Sequence, residues 1–464
     1  METLISNKIY IKYPSQKIID FCYDELIVNN PDYVTMIRLG KENIAQIKHI
    51  PAKLNLFTIN GNQVILPFGC LRRIWGLISA YNYETKFNEN EPISCRFDKI
   101  TQPLYDYQEK AVQAMLNAKG GVLVAPCSAG KTNIMIEVIH RIGKKFLFIV
   151  HTSDLLRQFY SRAKELYPNM DIGKITEGKV EIGRDGAVAT IQTLDKIDKD
   201  LYKDAFDIVV CDECAHVAGT PTLSKMFSRV VGSIPARYKY GCTATPERSD
   251  NLIITMYTIL GSNMDGEFAP VYQISRNDTR SLTAEHKRVD TGVPFSYDFL
   301  ETDGTFSYPK LIDYLSFNEQ RNQLIVEKTK ELVEDKRKTL LLCHRIEHCK
   351  VLHEKLLEAG IKAELLIGSA TAKKREQILT EKIDFDVIIA TYSLCKEGVD
   401  VKSLEAEILC TPVNDKAMTI QCVGRVERFK EGKRTPIVLD MCDDKIPYCV
   451  NRFKKRVNYL RNRY

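Results

Sequence analysis

The stretch that decides the fold is Ala125-Pro126-Cys127-Ser128-Ala129-Gly130-Lys131-Thr132, set between an apolar run at 121–125 and a helical pattern at 133–141. A tight loop between a strand and a helix turns backbone N–H groups and the helix N-terminus toward an anion. Gly130-Lys131-Thr132 adds a lysine to neutralise phosphate charge and a hydroxyl suited to a divalent cation. Ala125 stands where the first glycine of a phosphate-binding loop is usual, and Ser128 where another is common. A plain strand–turn–helix corner that happens to contain a lysine is the competing reading.

Outward from this loop, short apolar runs alternate with helical periods. The runs are 121–125, 146–150, 187–191, 208–211 and 238–242, then 339–343, 363–366, 387–390, 408–410 and 437–439. Apolar runs of this length separated by helices mean parallel strands covered on both faces. A less regular stretch at 261–307 divides the two series. The expected architecture is α/β: two tandem doubly wound parallel-sheet domains, at 101–262 and 311–464, joined by a connector at 263–310. Residues 1–100 form a small α+β accessory domain. Within it, runs at 53–59 and 63–67 flank Asn60-Gly61, a hairpin signal, and 72–83, with the only tryptophan, Trp75, has helical character.

The run 208–211 leads into Asp212-Glu213-Cys214-Ala215-His216. A carboxylate at the C-terminal end of a parallel strand faces the ligand crevice of such a sheet. Asp212 is placed to hold Mg²⁺ and Glu213 to orient or deprotonate a water. Phosphoryl transfer to water needs positioning and charge neutralisation, and these groups supply both. His216 sits where it can link this site to Thr243-Ala244-Thr245-Pro246.

The chain carries +6 overall, but from residue 423 onward there are 12 Lys and Arg against 5 Asp and Glu, +7 in this tail and −1 over the rest. A basic excess at one end points to a polyanion, or to a solvated helix face. Between 450 and 464, Phe453, Val457, Leu460 and Tyr464 recur at helical spacing among six basic residues. A docked helix presenting Lys and Arg outward is expected. The longest uncharged stretch, 54–71, is broken by Asn, Gln, Gly and Pro, and no apolar signal core opens the chain, so a membrane or secreted protein is not expected. The 14 cysteines then read as reduced thiols in a cytoplasmic protein. Cys211/Cys214 and the cluster Cys343, His344, His348, Cys349 imitate zinc ligands, but each lacks a second ligand pair at zinc spacing.

Asp-Glu-x-x-His with a downstream Thr-Ala-Thr-Pro resembles a superfamily 2 helicase, and further motifs follow in order over 101–440. Tyr105-Asp-Tyr107-Gln108 resembles the adenine-reading motif, residues 150–159 motif Ia, and Thr190-Ile-Gln192-Thr193 the next strand-backbone contact. Residues 339–356, with Arg345, resemble motif IV. Thr391 and 396–400, with Gly398 and Asp400, resemble motif V. Gln421-Cys-Val-Gly424-Arg425-Val-Glu427-Arg428 resembles motif VI.

The resemblance implies two RecA-like domains. ATP and Mg²⁺ would be held by Gln108, Ser128, Ala129, Gly130, Lys131, Thr132, Gly398 and Asp400, with Thr132 and Asp212 on the metal. Catalysis would fall to Lys131, Asp212, Glu213, His216, Gln421, Arg425 and Arg428, the arginines reaching the phosphoryl group from the second domain. Nucleic acid would lie on Thr152, Gln192, Thr193, Arg345 and Thr391. Thr243-Ala-Thr-Pro-Glu-Arg248-Ser-Asp250 and Asn318-Glu-Gln-Arg321-Asn322 resemble the branch of XPB-type, UvsW-type and type III restriction translocases, which acts mostly on DNA. The expected activity is an ATP-dependent DNA helicase or translocase. The alternatives are an RNA-dependent ATPase of the same fold and an ATP-gated duplex-binding subunit that does not unwind.

Overall fold

The computed structural model describes residues 1–217, 221–246 and 252–462, without the side chains at 45, 216, 217, 221–225, 372 and 396–398. It divides into two compact units, Met1–Ser275 apart from the loop tip Cys127–Ala129, and Arg276–Tyr464.

The first unit opens with β1 (Glu2–Ile5) and β2 (Lys8–Lys12). A two-stranded ribbon follows, β3 (Ile27–Asn29) with β4 (Lys53–Asn55), then β5 (Thr58–Asn60), β6 (Gln63–Pro67) and β7 (Asn82–Thr85). The main sheet runs β5-β6-β2-β1-β7. Alternation sends Ile9, Ile11, Val64 and Leu66 into one core with Ile18 and Cys22 of helix Gln16–Glu25 and Ile74 and Ile78 of helix Leu71–Ile78. Two differences from the sequence reading appear. Asn60 pairs with Gln63, so the hairpin turns on Gly61-Asn62 rather than Asn60-Gly61; Gly61 takes the positive φ, 55°, that glycine tolerates best. The helix with Trp75 ends at Ile78, and Asn82–Thr85 becomes a parallel edge strand on β1.

The second sheet of this unit contains β8 (Gly120–Val124), β9 (Phe146–Val150), β10 (Ile172–Thr176), β11 (Lys179–Val180), β12 (Gly186–Thr190), β13 (Ile208–Asp212), β14 (Tyr238–Thr243) and β15 (Tyr272–Gln273). Its order is β11-β10-β12-β9-β13-β14-β8-β15, and only β10–β11 is antiparallel. Strands β8, β9, β12 and β13 are buried along their whole length. That is why they read as unbroken apolar runs rather than alternating ones. Residues 1–100 are fastened onto this sheet domain. Asn88 Nδ2 donates to the carbonyls of Lys203 (2.8 Å) and Phe206 (2.9 Å), and Asn7 Nδ2 to that of Gly232 (2.9 Å). Gly69 lies so close to the next helix that a Cβ there would come within 2.2 Å of the Tyr257 carbonyl.

The second unit holds β16 (Glu285–Asp290), β17 (Thr339–Cys343), β18 (Ala363–Leu366), β19 (Val387–Thr391), β20 (Ala406–Leu409) and β21 (Ile437–Cys442). All are parallel, in the order β16-β21-β20-β17-β19-β18. Leu341, Ile389 and Ile408 face one core and Leu340, Ile388 and Leu409 the other. The stretch expected to be irregular supplies an edge strand to each sheet: β15 to the first and β16 to the second.

Candidate active site and nucleic-acid interface

The registers place the predicted residues on the C-terminal edge of each sheet. In the first, Val124 pairs with Thr243 and Asp212 with Cys242, so the loop after β8, Asp212 and Thr243 stand side by side. Val150 pairs with Thr190, so Thr152, Gln192 and Thr193 follow neighbouring strand ends farther along the same edge. In the second, Cys343 pairs with Thr391, and Arg345 lies two residues after Cys343.

The loop after β8 bends through left-handed backbone at Ser128 (φ 71°) and Gly130 (φ 79°), and Lys131 then begins helix Lys131–Ile142. The φ at 130 favours glycine, and an added Cβ there would lie 2.3 Å from Gln108 Nε2. Gln108 is buried, and its Oε1 accepts from the backbone N–H of Tyr105 (3.1 Å). Its amide therefore packs on the phosphate loop while capping its own helix, a positioning role that the sequence reading did not include.

Lys131 Nζ lies 3.3 Å from Glu213 Oε1, with both side chains mostly buried. Thr243 Oγ1 donates to Glu213 Oε2 at 3.3 Å. The Asp212 carboxylate accepts from the Glu213 N–H (3.0 Å) and the Cys242 thiol (3.2 Å). Glu213 itself sits at φ 46°, uncommon for a side-chain-bearing residue and characteristic of functional sites. Burial pushes Asp212 up to about 6; the neighbouring Glu213 charge adds to this and Lys131 opposes it. Two adjacent carboxylates and a lysine thus stand together in a desolvated place. Paired carboxylates suit a divalent cation, and Thr132 stands beside Lys131 on the helix's first turn.

The proposed nucleic-acid residues have local partners. Thr152 caps helix Ser153–Leu166 by accepting from Leu155 N–H (3.3 Å). Thr391 caps helix Tyr392–Gly398 through Leu394 N–H (3.4 Å). Gln192 Nε2 donates to the His151 carbonyl (3.1 Å), the Thr193 and Thr190 hydroxyls are 2.8 Å apart, and Arg345 Nε donates to Asp313 (2.7 Å). Gln421 and Arg425 lie one turn apart on helix Lys416–Val426, and Arg428, past its end, pairs with Asp400. His216 and Gly398 fall in helices, but the surroundings of their side-chain positions lie outside the described residues, as do Arg248 and Asp250 entirely. The zinc-like residues are committed elsewhere. His344 bonds the Tyr308 (3.2 Å) and Thr411 (2.8 Å) hydroxyls, and His348 bonds Asn322 (2.8 Å). Cys211, Cys214, Cys343 and Cys349 are buried free thiols.

One expectation is corrected. Of the six basic residues placed on the outer face of the terminal helix, Arg456 points inward. It is 1% exposed, donates to both oxygens of Asp440 (2.8 and 2.6 Å) and to the Val413 carbonyl (3.2 Å). Arg463 and Tyr464 lie outside the described residues. Sequence reasoning missed Glu427 and Arg276 altogether; the visible signal was an acid set between the two motif VI arginines.

Two parallel sheets in series, the first with a phosphate loop beside paired carboxylates, define a two-RecA-domain ATPase. Residues 101–248 match the model of the type III restriction enzyme res subunit, and 321–430 that of the helicase conserved C-terminal domain. The chain thus belongs to the superfamily 2 helicases, in the branch of XPB-like, UvsW-like and type III restriction enzymes, and is an ATP-hydrolysing enzyme. It is 26% identical to the ATP-dependent DNA helicase uvsW of Enterobacteria phage T4 over 437 residues, 85% of this chain and 84% of the phage protein. It is 27% identical to an Acanthamoeba polyphaga mimivirus protein named as an ATP-dependent RNA helicase, over 76% of this chain and 66% of that protein. The fold is similar to that of S. cerevisiae Dbp5 bound to RNA and ADP BeF3, with a TM-score of 0.58 at 16% identity, covering 78% of this chain and 88% of that one. Its relatives are nucleic-acid helicases that use a nucleotide. Among the described residues no helix is long and apolar enough to cross a membrane.

Proposed function

We propose that this enzyme couples ATP hydrolysis to movement on, or remodelling of, duplex or branched DNA. The observation that carries the reading is the shared strand-end edge of the first sheet, with Lys131, Asp212, Glu213 and Thr243 at one part and Thr152, Gln192 and Thr193 at another. Backbone N–H groups of the phosphate loop and Lys131 bind the phosphates of ATP. Glu213 orients the attacking water and accepts its proton, and its bond to Thr243 fixes the carboxylate. Mg²⁺, held by Thr132 and Asp212, would neutralise charge on the phosphate oxygens. Arg425 and Arg428 supply positive charge from the second domain as charge builds on the transferring group. Turnover then depends on domain closure, which ATP favours through these differential contacts. Small polar side chains at strand ends suit the sugar-phosphate backbone and give little base specificity. Exposed Lys454 and Lys455 add to this binding from the terminal helix.

The name of the phage relative supports DNA and that of the mimivirus relative supports RNA. Strand displacement on matched forked DNA and RNA substrates decides between them. ATP-dependent unwinding of the DNA fork is expected. Unwinding of the RNA fork alone would replace DNA with RNA as the substrate, and hydrolysis without displacement on either would favour a duplex clamp.

A further inference from the structure

Glu427 interrupts motif VI between Arg425 and Arg428, and it is fully buried. It meets the segment where the second unit begins. Arg276 Nη2 stands 2.8 Å from Glu427 Oε2, with the two side chains only 11% and 1% exposed. Ala284 N–H donates to Glu427 Oε1 at 2.9 Å, and Leu282 N–H to the Glu427 carbonyl at 2.8 Å. Arg276 Nη2 also donates to the Leu282 carbonyl (2.6 Å), closing the segment on itself. One residue beyond Arg428, the Phe429 ring lies 5.4 Å from the Arg280 guanidinium. From the other side Lys433 Nζ donates to the Arg428 carbonyl (2.9 Å) and to that of Lys402 (3.2 Å). The turn that carries Arg428 is therefore gripped before and after the arginine.

The gripping segment has a second attachment. Just upstream, Gln273 of β15 pairs with Val124, and Ile274 N–H donates to the Val124 carbonyl at 2.9 Å, the strand end that opens into the phosphate loop. Arg276 follows Ile274 by two residues. Residues 276–284 thus form a short strap held on Glu427, directly after the segment paired with β8.

We propose that Glu427 is a positioning residue: through Arg276 and the 276–284 strap it sets the backbone that presents Arg428, so that strap and arginine move together. This rests on the reading of Arg428 as the arginine that serves the phosphoryl group. A buried carboxylate held by a cation and an amide donor has a narrow choice of geometry. A misplacement of about 1 Å at a reacting centre can cost ~10²-fold in rate.

The test is steady-state ATP hydrolysis with saturating nucleic acid by Arg276→Met, Glu427→Gln, Arg276→Lys, the Arg276→Met/Glu427→Gln double variant and Arg428→Ala, beside thermal melting. Glu427→Gln keeps an acceptor for Ala284 and nearly the same shape, so it decides the matter if Arg276→Met fails to fold. The expected result is a kcat lowered ~10–100-fold in Arg276→Met and Glu427→Gln with KM for ATP within about twofold. Arg276→Lys should recover most of the rate, and the double variant should be no slower than the worse single one. Slow Arg428→Ala with wild-type kcat in folded Arg276→Met and Glu427→Gln would overturn the positioning role alone. Wild-type turnover in Arg428→Ala would instead remove the reading beneath it.

Discussion

At the residue scale the proposed chemistry turns on two adjacent acids and a lysine. Asp212 and Glu213 are consecutive and mostly buried, and Lys131 lies close to Glu213. Sequence alone placed both acids at a strand end, but not the left-handed backbone that turns Glu213 back toward Lys131 and Thr243. Because Glu213 is held by side-chain contacts rather than by core packing, its removal should affect rate and not fold. Glu213→Gln is expected to lower kcat by ~10²–10⁴-fold, the usual worth of a positioned general base, while ATP still binds. Lys131→Ala is expected to lose both binding and hydrolysis. Fluorescent-nucleotide titration beside phosphate release checks both, with melting curves to confirm that each variant folds. Substantial turnover by Glu213→Gln would move the base elsewhere.

At the element scale the terminal helix Pro447–Arg461 is the clearest difference between pattern and packing. Helical spacing showed the apolar stripe, and Leu460 does pack on the second domain's core. What spacing could not show is that Arg456 shares the inward face, because the reason lies in Asp440 on β21, a buried acid that needs a cation. His286, on edge strand β16, is 3.1 Å from the same carboxylate. Breaking one side of a buried pair leaves an uncompensated charge, which costs about 3–5 kcal/mol. Arg456→Met should destabilise the second domain toward the lower end of that range, since His286 remains, and denaturant unfolding measures it. An unchanged midpoint would mean that the pair contributes nothing net. The same contact warns against deleting the helix to test nucleic-acid binding; Lys454→Gln with Lys455→Gln leaves the brace in place.

Legibility of the elements followed burial. Strands covered on both faces, such as Phe146–Val150 and Thr339–Cys343, are unbroken apolar runs, and their ends could be read from sequence. Edge strands gave no such signal. Tyr272–Gln273 is two residues long, and Glu285–Asp290 is Glu-His-Lys-Arg-Val-Asp, polar because one side of an edge strand meets solvent. The site divides in the same way. The phosphate loop is contiguous in sequence and was legible, whereas Gln108 against Gly130 and Arg276 against Glu427 join positions far apart along the chain, and only the fold shows them.

At the scale of the whole molecule, candidate residues stand at strand ends in each of the two sheet domains, and the N-terminal domain is built onto the first through Asn7, Gly69 and Asn88. On the proposed reading the parts of a nucleic-acid-driven ATPase are distributed over both domains, with Lys131 and Glu213 on one and Arg425 and Arg428 on the other. An enzyme so divided should hydrolyse ATP slowly when alone and faster when a bound strand favours closure. The most direct measurement is the ATPase rate with no nucleic acid, single-stranded DNA, duplex DNA, forked DNA and RNA, beside Lys131→Ala. Strong stimulation by DNA, greatest with duplex or forks and absent in Lys131→Ala, is the predicted result. Stimulation by RNA alone, or an equal rate under every condition, would contradict it.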